Sequence, residues 1–270
     1  MISVIIPYYN KHELTIACVD SFIKFNTDVK YEILLIDNNS NTETIDKIYA
    51  KYKDNKNIKL LSYPYPFNYH KINNWGVELS KGDFIYLLNN DTEFVEESQG
   101  LLNKMTTLAK DNNIGAVGSL MLFENRTHIQ HAGVYLKAGG YADHIFFNID
   151  IRYFDQYKIE DQYNYKKDRL ISAVTAAGVL IERKKFYEVG CLSEEFIVCG
   201  GDVDLCIKLQ LMGYKTMYVG THYIIHKESQ TRKGDNIPIT DFINSYDSYI
   251  KIFDPVIGDP YTPLTITNIQ

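Results

Sequence analysis

The chain has 270 residues, of which 45% are hydrophobic, so it can build the core of one large α/β domain or of two small ones. Its formal net charge of −6 argues against broad binding to nucleic-acid backbones, where a basic surface supplies most of the affinity. The four cysteines have no CxxC spacing, so we predict reduced thiols in a cytoplasmic protein instead of disulfides or a zinc site. No stretch approaches the ~20 apolar residues of a membrane span.

The first 93 residues alternate apolar strands with helices. Strands are predicted at 4–6, 32–36, 58–61 and Phe84–Leu88, with helices at 14–25, 42–52 and 72–79 between them. This alternation predicts right-handed crossovers and a largely parallel sheet. No GxGxxG or GxxxxGK[ST] sequence occurs in these turns, which argues against dinucleotide-binding oxidoreductases and P-loop enzymes.

Polar side chains follow three of the predicted strands. Asn10, Asp37 and Asp91 each lie just past a strand carboxyl end, which is the edge where open α/β sheets bind ligands. This placement predicts a metal or phosphate site in one crevice. Two alternatives stay open, because Asn and Asp residues also close turns, and Asp37 could simply begin the following helix.

After residue 95 the alternation loosens. The pattern predicts a helix to about residue 110, a strand at 114–117, an apolar segment at 129–136 and a strand or turn at 173–181. Between them, residues 137–170 are predicted to be irregular and carry five tyrosines. These rings could stack on sugars in an acceptor groove, but we favour the alternative that they cover a surface or an oligomer contact.

A second polar cluster lies near residue 200. The sequence CGGDVDLCIKLQLMG at 199–213 predicts a helix that begins near Asp202 and stops at Gly213. Asp202 could cap this helix or serve as a general base in the crevice, and the two roles are compatible. Asp204 is expected to point elsewhere and to cap the helix or pair with a cation.

The polar residues continue after the helix. Short strands at 216–219 and 223–225 lead to His226, which by itself would more often be a packed or surface residue. The next loop contains Lys227 and Arg232 and could close on a diphosphate or be solvated surface. Residues 236–270 contain a helical stretch at 242–253 and are predicted to dock on the domain or on a partner.

With both clusters placed, the chain resembles family 2 glycosyltransferases of the GT-A fold. In particular it resembles the bacterial cell-surface polysaccharide enzymes described as rhamnosyltransferases. The matching segments are SVIIPYYN at 3–10, ILLIDNNS at 33–40, FNYHKINNWG at 67–76, LLNNDTEF at 87–94, IQHAG at 129–133, VTAAGVLIERKKFYEVG at 174–190, GDVDLCIKLQLMGYK at 201–215, and HKES with RKGD at 226–235.

The resemblance implies an α/β architecture with a Rossmann-like, mostly parallel central sheet flanked by helices and a smaller mixed acceptor-side region. The domain would span residues 1–235, with a nucleotide-binding half at 1–93 and an acceptor and catalytic half at 94–235. Residues 236–270 would form a C-terminal helical tail.

The resemblance also implies roles for individual residues. Asp202 would be the catalytic base, Asp91 and His226 would bind Mn²⁺ or Mg²⁺, and residues 89–91 would stand for the family's DxD element. Donor-binding residues would be Pro7, Tyr9, Asn10, Asp37, Asn39, Asn74, Asn89, Asn90, Lys227 and Arg232. The chain departs from the family pattern where Asn89 and Asn90 replace acidic residues, and where Gly201 replaces an acidic or Asn residue often found before the base.

The implied activity is inverting, metal-dependent transfer of a sugar from a UDP- or dTDP-sugar to a hydroxyl of a glycan or lipid-linked glycan. A retaining double displacement would need a second carboxylate as nucleophile, and none is evident. A non-catalytic nucleotide-sugar or carbohydrate-binding module is the alternative, because two acidic positions are Asn. A nucleotidyltransferase would need a glycine-rich basic loop that residues 8–10 do not supply. Peripheral contact with the inner face of the membrane and a homodimer are both compatible with the sequence.

Overall fold

A mixed β-sheet carries the fold in a computed structural model, which describes residues 1–137, 141–157, 164–227, 237–252 and 258–262. Within these residues the strands are β1 Ile2–Tyr8, β2 Tyr31–Asp37, β3 Ile58–Ser62, β4 Phe84–Leu88, β5 Thr92–Glu93, β6 Ile114–Leu122, β7 Ile129–His131, β8 Val134–Lys137, β9 Tyr141–His144, β10 Arg169–Ile171, β11 Gly178–Glu182 and β12 Lys215–His226. The α-helices are α1 His12–Phe25, α2 Thr42–Tyr52, α3 Tyr69–Leu79, α4 Leu101–Ala109, α5 Arg152–Tyr157, α6 Arg183–Glu188, α7 Gly201–Leu211 and α8 Ile239–Tyr249.

The main sheet has the strand order β10-β12-β6-β11-β4-β1-β2-β3. Strands β3, β2, β1 and β4 are parallel, as the alternation of strands and helices predicts. The next strand, β11, runs antiparallel to both of its neighbours, β4 and β6, while β12 is parallel to β6. The predicted α/β class with a mostly parallel, mixed central sheet is therefore confirmed.

Side-chain alternation along the central strands builds a core on each face of the sheet. Ile5 and Leu87 point to the face covered by α3, α6 and α7, whereas Val4 and Tyr86 point to the face covered by α1, α2 and α4. These strands are apolar at nearly every position because both faces are buried, which is typical of parallel α/β sheets. All four cysteines are free, as the sequence predicts.

The structure corrects several predicted elements in the second half. The single helix predicted at 95–110 is a 3₁₀ turn at Glu96–Ser98 followed by α4, because Gly100 between them adopts a left-handed φ of 81°. Residues 137–170, predicted to be irregular, contain β9, α5 and β10 among their described residues. The two short strands predicted before His226 form one strand, β12, with an irregularity between Val219 and Tyr223.

Helix α8 packs against α7, and a buried carboxylate fixes this contact. The side chain of Asp241 is fully buried and accepts hydrogen bonds from the backbone N–H groups of Ile197, Val198 and Cys199 at 2.9, 2.8 and 3.0 Å. These residues immediately precede Gly200, the residue before α7. The C-terminal helix therefore holds the loop that delivers Asp202.

We expect Asp241→Ala to reduce the free energy of unfolding by about 3 kcal/mol, because it leaves three backbone N–H groups without their charged acceptor. Urea denaturation measures this change. Asp247 lies on the same helix but is exposed, so Asp247→Ala is the matched control and should change stability by less than about 0.5 kcal/mol. Equal effects of the two substitutions would contradict the anchoring role of Asp241.

None of the helices in the described part of the chain combines the length and the apolar character that crossing a membrane requires.

Candidate active site

A cavity of about 850 Å³ opens at the carboxyl edge of the parallel strands. Pro7 and Tyr9 reach it from β1, Asn39 from the end of β2, and Asn89 to Asp91 from the end of β4. Asp202 at the start of α7 and His226 at the end of β12 line the same cavity. The structure thus brings the polar ends of strands and one helix start into a single space, and this space has the size of typical small-molecule sites.

Asp91 and His226 form a close pair in this cavity. Residues 92 and 93 form the short strand β5, which pairs with the end of β12 and thereby sets His226 opposite Thr92. The His226 Nε2 atom lies 3.3 Å from Asp91 Oδ1, and both residues are buried. The backbone N–H of Lys227 also donates to the Asp91 carbonyl oxygen at 3.0 Å. Backbone pairing therefore holds the two side chains together.

The donor set of this pair fits a divalent cation. Two ligand atoms at about 2.1 Å from one ion and at a right angle to each other are about 3.0 Å apart, close to the observed 3.3 Å between Asp91 Oδ1 and His226 Nε2. Within the described residues, no group of three or more His, Cys, Asp or Glu side chains surrounds a common point. Asp91 and His226 could therefore be two ligands of an ion whose remaining ligands come from substrate or water.

The two asparagines that precede Asp91 are held by helix residues. The Tyr69 hydroxyl lies 3.0 Å from the Asn89 side-chain oxygen and 3.1 Å from the Ala176 carbonyl oxygen, and its single proton is shared between these two acceptors. The Asn90 amide donates to Thr15 Oγ1 on α1 at 3.0 Å. These bonds orient both side chains at the cavity wall.

Asn10 and Asp37 lie behind the cavity wall and support the loops that form it. The Asn10 side chain accepts from the Asn41 N–H at 2.9 Å, and the Asn10 N–H donates to Ser40 Oγ at 2.8 Å. Asp37 is buried and accepts from the Ser40 N–H at 3.2 Å. Both residues therefore connect the loops after β1 and β2, next to Tyr9 and Asn39, which line the cavity themselves.

Asp202 combines the two roles that its position at a helix start allows. Its Oδ1 accepts from the Val203 N–H at 2.9 Å and its Oδ2 accepts from the Ala176 N–H at 3.1 Å, while the residue lines the cavity. The carboxylate is thus held by the first turn of α7 and by the loop before β11. Asp204 points elsewhere, as expected, and lies 3.3 Å from Lys208 Nζ.

Asn74 and Lys227, like Asn10 and Asp37, are predicted donor-binding residues that are not among those lining the cavity. The Asn74 side-chain amide donates to the Leu192 carbonyl at 2.9 Å and to Glu194 at 3.1 Å, so it ties α3 to the loop between α6 and α7. Lys227 lies 3.1 Å from Glu93 and lines a separate shallow depression. Arg232 falls outside the described residues.

Other cavity residues were not predicted from the sequence. Tyr69 and His70 come from the first turn of α3, His144 from β9, and Tyr249 from α8. Tyr69 and His70 belong to the segment FNYHKINNWG, but only Asn74 was selected from it. A signal was available there, because Asn68 caps α3 and places the two following rings at the helix start.

His131 is a fully buried histidine near this site, and neither of its ring nitrogens has a hydrogen-bond partner among the described residues. Burial lowers its pKa well below the usual range, and the neighbouring His144, His226 and Arg169 lower it further. As the pH falls below ~6.5, His131 therefore binds a proton in the unfolded chain but stays neutral in the folded chain. The stability that this difference contributes is fully present above that pH and is lost as the pH falls below it.

We expect His131→Phe to reduce the acid sensitivity of folding. Below pH ~6.5 the substitution should remove about 1.4 kcal/mol per pH unit from the slope of unfolding free energy against pH, which is the contribution of one proton. Urea denaturation at pH 7, 6 and 5 measures this slope. An unchanged slope would show that other groups cause the acid sensitivity.

Comparison with known proteins identifies the family. The model of glycosyl transferase family 2 matches residues 3–188. The chain belongs to this family. The chain is also 33% identical over 261 residues to the O-antigen biosynthesis protein RfbC of Myxococcus xanthus, an alignment that covers 96% of this chain and 20% of RfbC. The chain therefore spans about a fifth of the length of that relative.

Solved glycosyltransferase structures share the fold. A structure of GalNAc-T7 with UDP, GalNAc and Mn²⁺ superimposes with a TM-score of 0.69 at 17% identity and covers 94% of this chain and 48% of that one. The mannosyltransferase PcManGT from Pyrobaculum calidifontis, in complex with GDP-Man and Mn²⁺, has a TM-score of 0.60 at 12% identity and covers 93% of this chain and 70% of that one. At these identities the comparison shows the fold alone, which is the predicted GT-A fold.

Proposed function

We propose that this chain transfers a sugar from a nucleoside-diphosphate sugar to an acceptor hydroxyl and inverts the anomeric configuration. The observation that carries the proposal is the meeting of Asp91, His226 and Asp202 in one cavity, although they lie on three different elements. The 3.3 Å pair of Asp91 and His226 suits a cation-bound diphosphate, and the separately held Asp202 carboxylate suits a base.

The nucleoside side of the cavity is aromatic and amide-rich. Tyr9 and Phe67 are each 49% exposed and line the cavity, so their rings are available to stack on a base. Asn39 lines the same region next to Asp37, and Asp37 remains in this proposal as a donor-binding residue that would read the base. The UDP and GDP-Man of the GalNAc-T7 and PcManGT complexes support a nucleoside diphosphate as the donor class.

Asp91 and His226 would hold a divalent cation, Mn²⁺ or Mg²⁺. When bound, the cation neutralises the charge that develops on the diphosphate leaving group. Asp91 contributes one negative charge and His226 a neutral nitrogen donor, whereas Asn89 and Asn90 contribute none. With so little protein charge, we expect the diphosphate itself to provide much of the cation's affinity. The Mn²⁺ in both structural relatives supports this assignment.

Asp202 would remove the proton of the attacking acceptor hydroxyl. Its two oxygens each accept one backbone N–H, which fixes the carboxylate and leaves its further lone pairs free to accept from a hydroxyl. Among the described residues that line the cavity, the carboxylates are Asp91 and Asp202. Because Asp91 is paired with His226, the described cavity residues offer no second carboxylate as a nucleophile, which supports a single inverting displacement.

The acceptor is proposed to be a glycan or a lipid-linked glycan. RfbC is described as an O-antigen biosynthesis protein, which supports a role in polysaccharide assembly. A UDP- or dTDP-sugar is the proposed donor, and a rhamnosyl donor follows by analogy alone.

A two-stage experiment tests the proposal. Thermal shifts with UDP, dTDP, GDP and CDP are measured with Mn²⁺, with Mg²⁺ and with EDTA, and one base should give a cation-dependent stabilisation. Donor sugars of that base are then incubated with an acceptor panel, and release of the nucleoside diphosphate is followed. Binding without release across the panel would favour the alternative of a non-catalytic binding module, and no cation-dependent shift with any base would contradict the donor site.

A further inference from the structure

We propose that His70 positions the acceptor beside Asp202, with its Nε2 lone pair receiving a hydroxyl of the acceptor sugar. The inference rests on the proposed function and adds an acceptor-binding residue that the sequence pattern does not indicate. It follows from where the imidazole lies, which of its nitrogens is already used and what surrounds the other one.

The His70 ring fills the space next to Gly201. A Cβ atom added to Gly201 would lie 2.1 Å from His70 Nε2 and 2.4 Å from its Cδ2, so no larger residue fits at 201 while the ring stays in place. Gly201 is the first residue of α7 and directly precedes Asp202. Position 201 therefore carries no side chain on α7, and the space beside it is occupied by a nitrogen base from α3.

The hydrogen bond of His70 determines which ring nitrogen keeps a free lone pair. Its Nδ1 lies 2.8 Å from the Phe196 carbonyl oxygen, and a carbonyl can only accept, so Nδ1 carries the proton. In the neutral ring Nε2 is then an acceptor. Nε2 makes no hydrogen bond within the described residues, and His70 lines the cavity.

The charges around His70 are compatible with a neutral ring. Burial lowers the pKa of His70 below its usual range, which outweighs the opposing effects of the Phe196 carbonyl and of Asp202, Asp241 and Asp204. At pH 7 the ring is therefore neutral and Nε2 keeps its lone pair. A sugar hydroxyl is a fitting partner because it can donate to such an acceptor.

Two substitutions separate this role from a packing role. In His70→Asn the side-chain amide can still donate to the Phe196 carbonyl, but the group at the Nε2 position is lost. In His70→Gln an oxygen can reach the Nε2 position, but the bond to Phe196 is lost. His222→Asn is the matched control, because His222 lies on β12 and does not line the cavity. Urea denaturation of each variant measures the structural cost separately.

The decisive measurement is the binding of methyl hexosides and methyl 6-deoxyhexosides. Saturation-transfer NMR detects this binding, with and without Mn²⁺ and nucleoside diphosphate. We expect His70→Asn to weaken glycoside binding about tenfold and His70→Gln to stay within about threefold of the wild type. Nucleotide binding should change by less than about twofold in both variants, because the donor groups are untouched.

The inference is overturned if His70→Asn binds the glycosides as the wild type does, if only His70→Gln loses them, or if the wild type binds no glycoside of the panel. Failure of the proposed function has a different signature, which is the absence of nucleoside-diphosphate release from the wild type. Glycoside binding is measured without turnover, so the two results are distinguishable.

Discussion

Replacing Asp202 with alanine is expected to reduce sugar transfer by about 10²- to 10⁴-fold, the range that a positioned general base contributes. The dissociation constant for the nucleoside diphosphate should stay within about threefold, because Asp202 is held by Val203 and Ala176 on α7 and the β11 side, apart from the loops after β1 and β2. Initial rates of nucleoside-diphosphate release measure the first quantity, and calorimetry measures the second.

Asp204 provides the control for this substitution. It lies on the same first turn of α7, but it pairs with Lys208 and accepts from Ser248 instead of lining the cavity. Asp204→Asn should therefore retain most of the transfer rate. If Asp202→Ala transfers sugar at the wild-type rate, or if both variants lose transfer equally, Asp202 is not the base.

Asp202→Asn gives a complementary result. The asparagine oxygen can replace only one of the two backbone acceptors, because its NH₂ group cannot accept from the Val203 or Ala176 N–H. We therefore expect this variant to lose transfer as fully as Asp202→Ala and to lose some stability as well.

The predictable part of the site is the part that follows from strand ends. Asp91 follows an apolar run and His226 ends another, and parallel strands place their carboxyl ends at one edge. The strand-end pattern predicted one crevice for Asp91 and the loops after β1 and β2, whereas the pairing of Asp91 with His226 followed only from the family resemblance. The position of Asp202 at a helix N-terminus was also predictable, because two glycines precede it and an apolar helical pattern follows it.

The unpredicted part depends on contacts between distant elements. The insertion of β11 antiparallel between β4 and β6 determines which loops meet Asp202, and no local pattern encodes strand order. In the sequence, Gly201 is a departure from the family pattern with no evident reason. In the structure, the His70 ring occupies the space that a side chain at position 201 would need. Asn74 shows the converse, because an amide in a matching segment is used by the neighbouring backbone.

The last helix illustrates the same limit. Its apolar pattern predicted a helix, and its bounds are Ile239–Tyr249 instead of 242–253. The sequence did not reveal that Asp241 would accept the N–H groups of residues 197–199 or that Tyr249 would line the cavity. A buried carboxylate in such a helix has no local signature, because the N–H groups that donate to it belong to another segment.

Replacing His226 with alanine should weaken Mn²⁺-dependent nucleotide binding at least about 100-fold. Changes to groups that merely orient metal ligands already cost 10- to 100-fold, and His226 is itself one of the two proposed protein ligands, so its loss should cost at least as much. Asp91→Asn should have a similar effect, because it removes the single negative charge of the pair. Nucleotide binding in EDTA should be nearly the same in the wild type and both variants, since the cation is then absent from all of them.

Asp83 is exposed beside the opposite end of β4, so Asp83→Asn is the matched control and should retain the Mn²⁺ response. Titration of Mn²⁺ by electron paramagnetic resonance, with and without the nucleoside diphosphate, measures the affinity directly. A His226→Ala protein that binds Mn²⁺ and nucleotide with wild-type affinity would place the cation away from this pair.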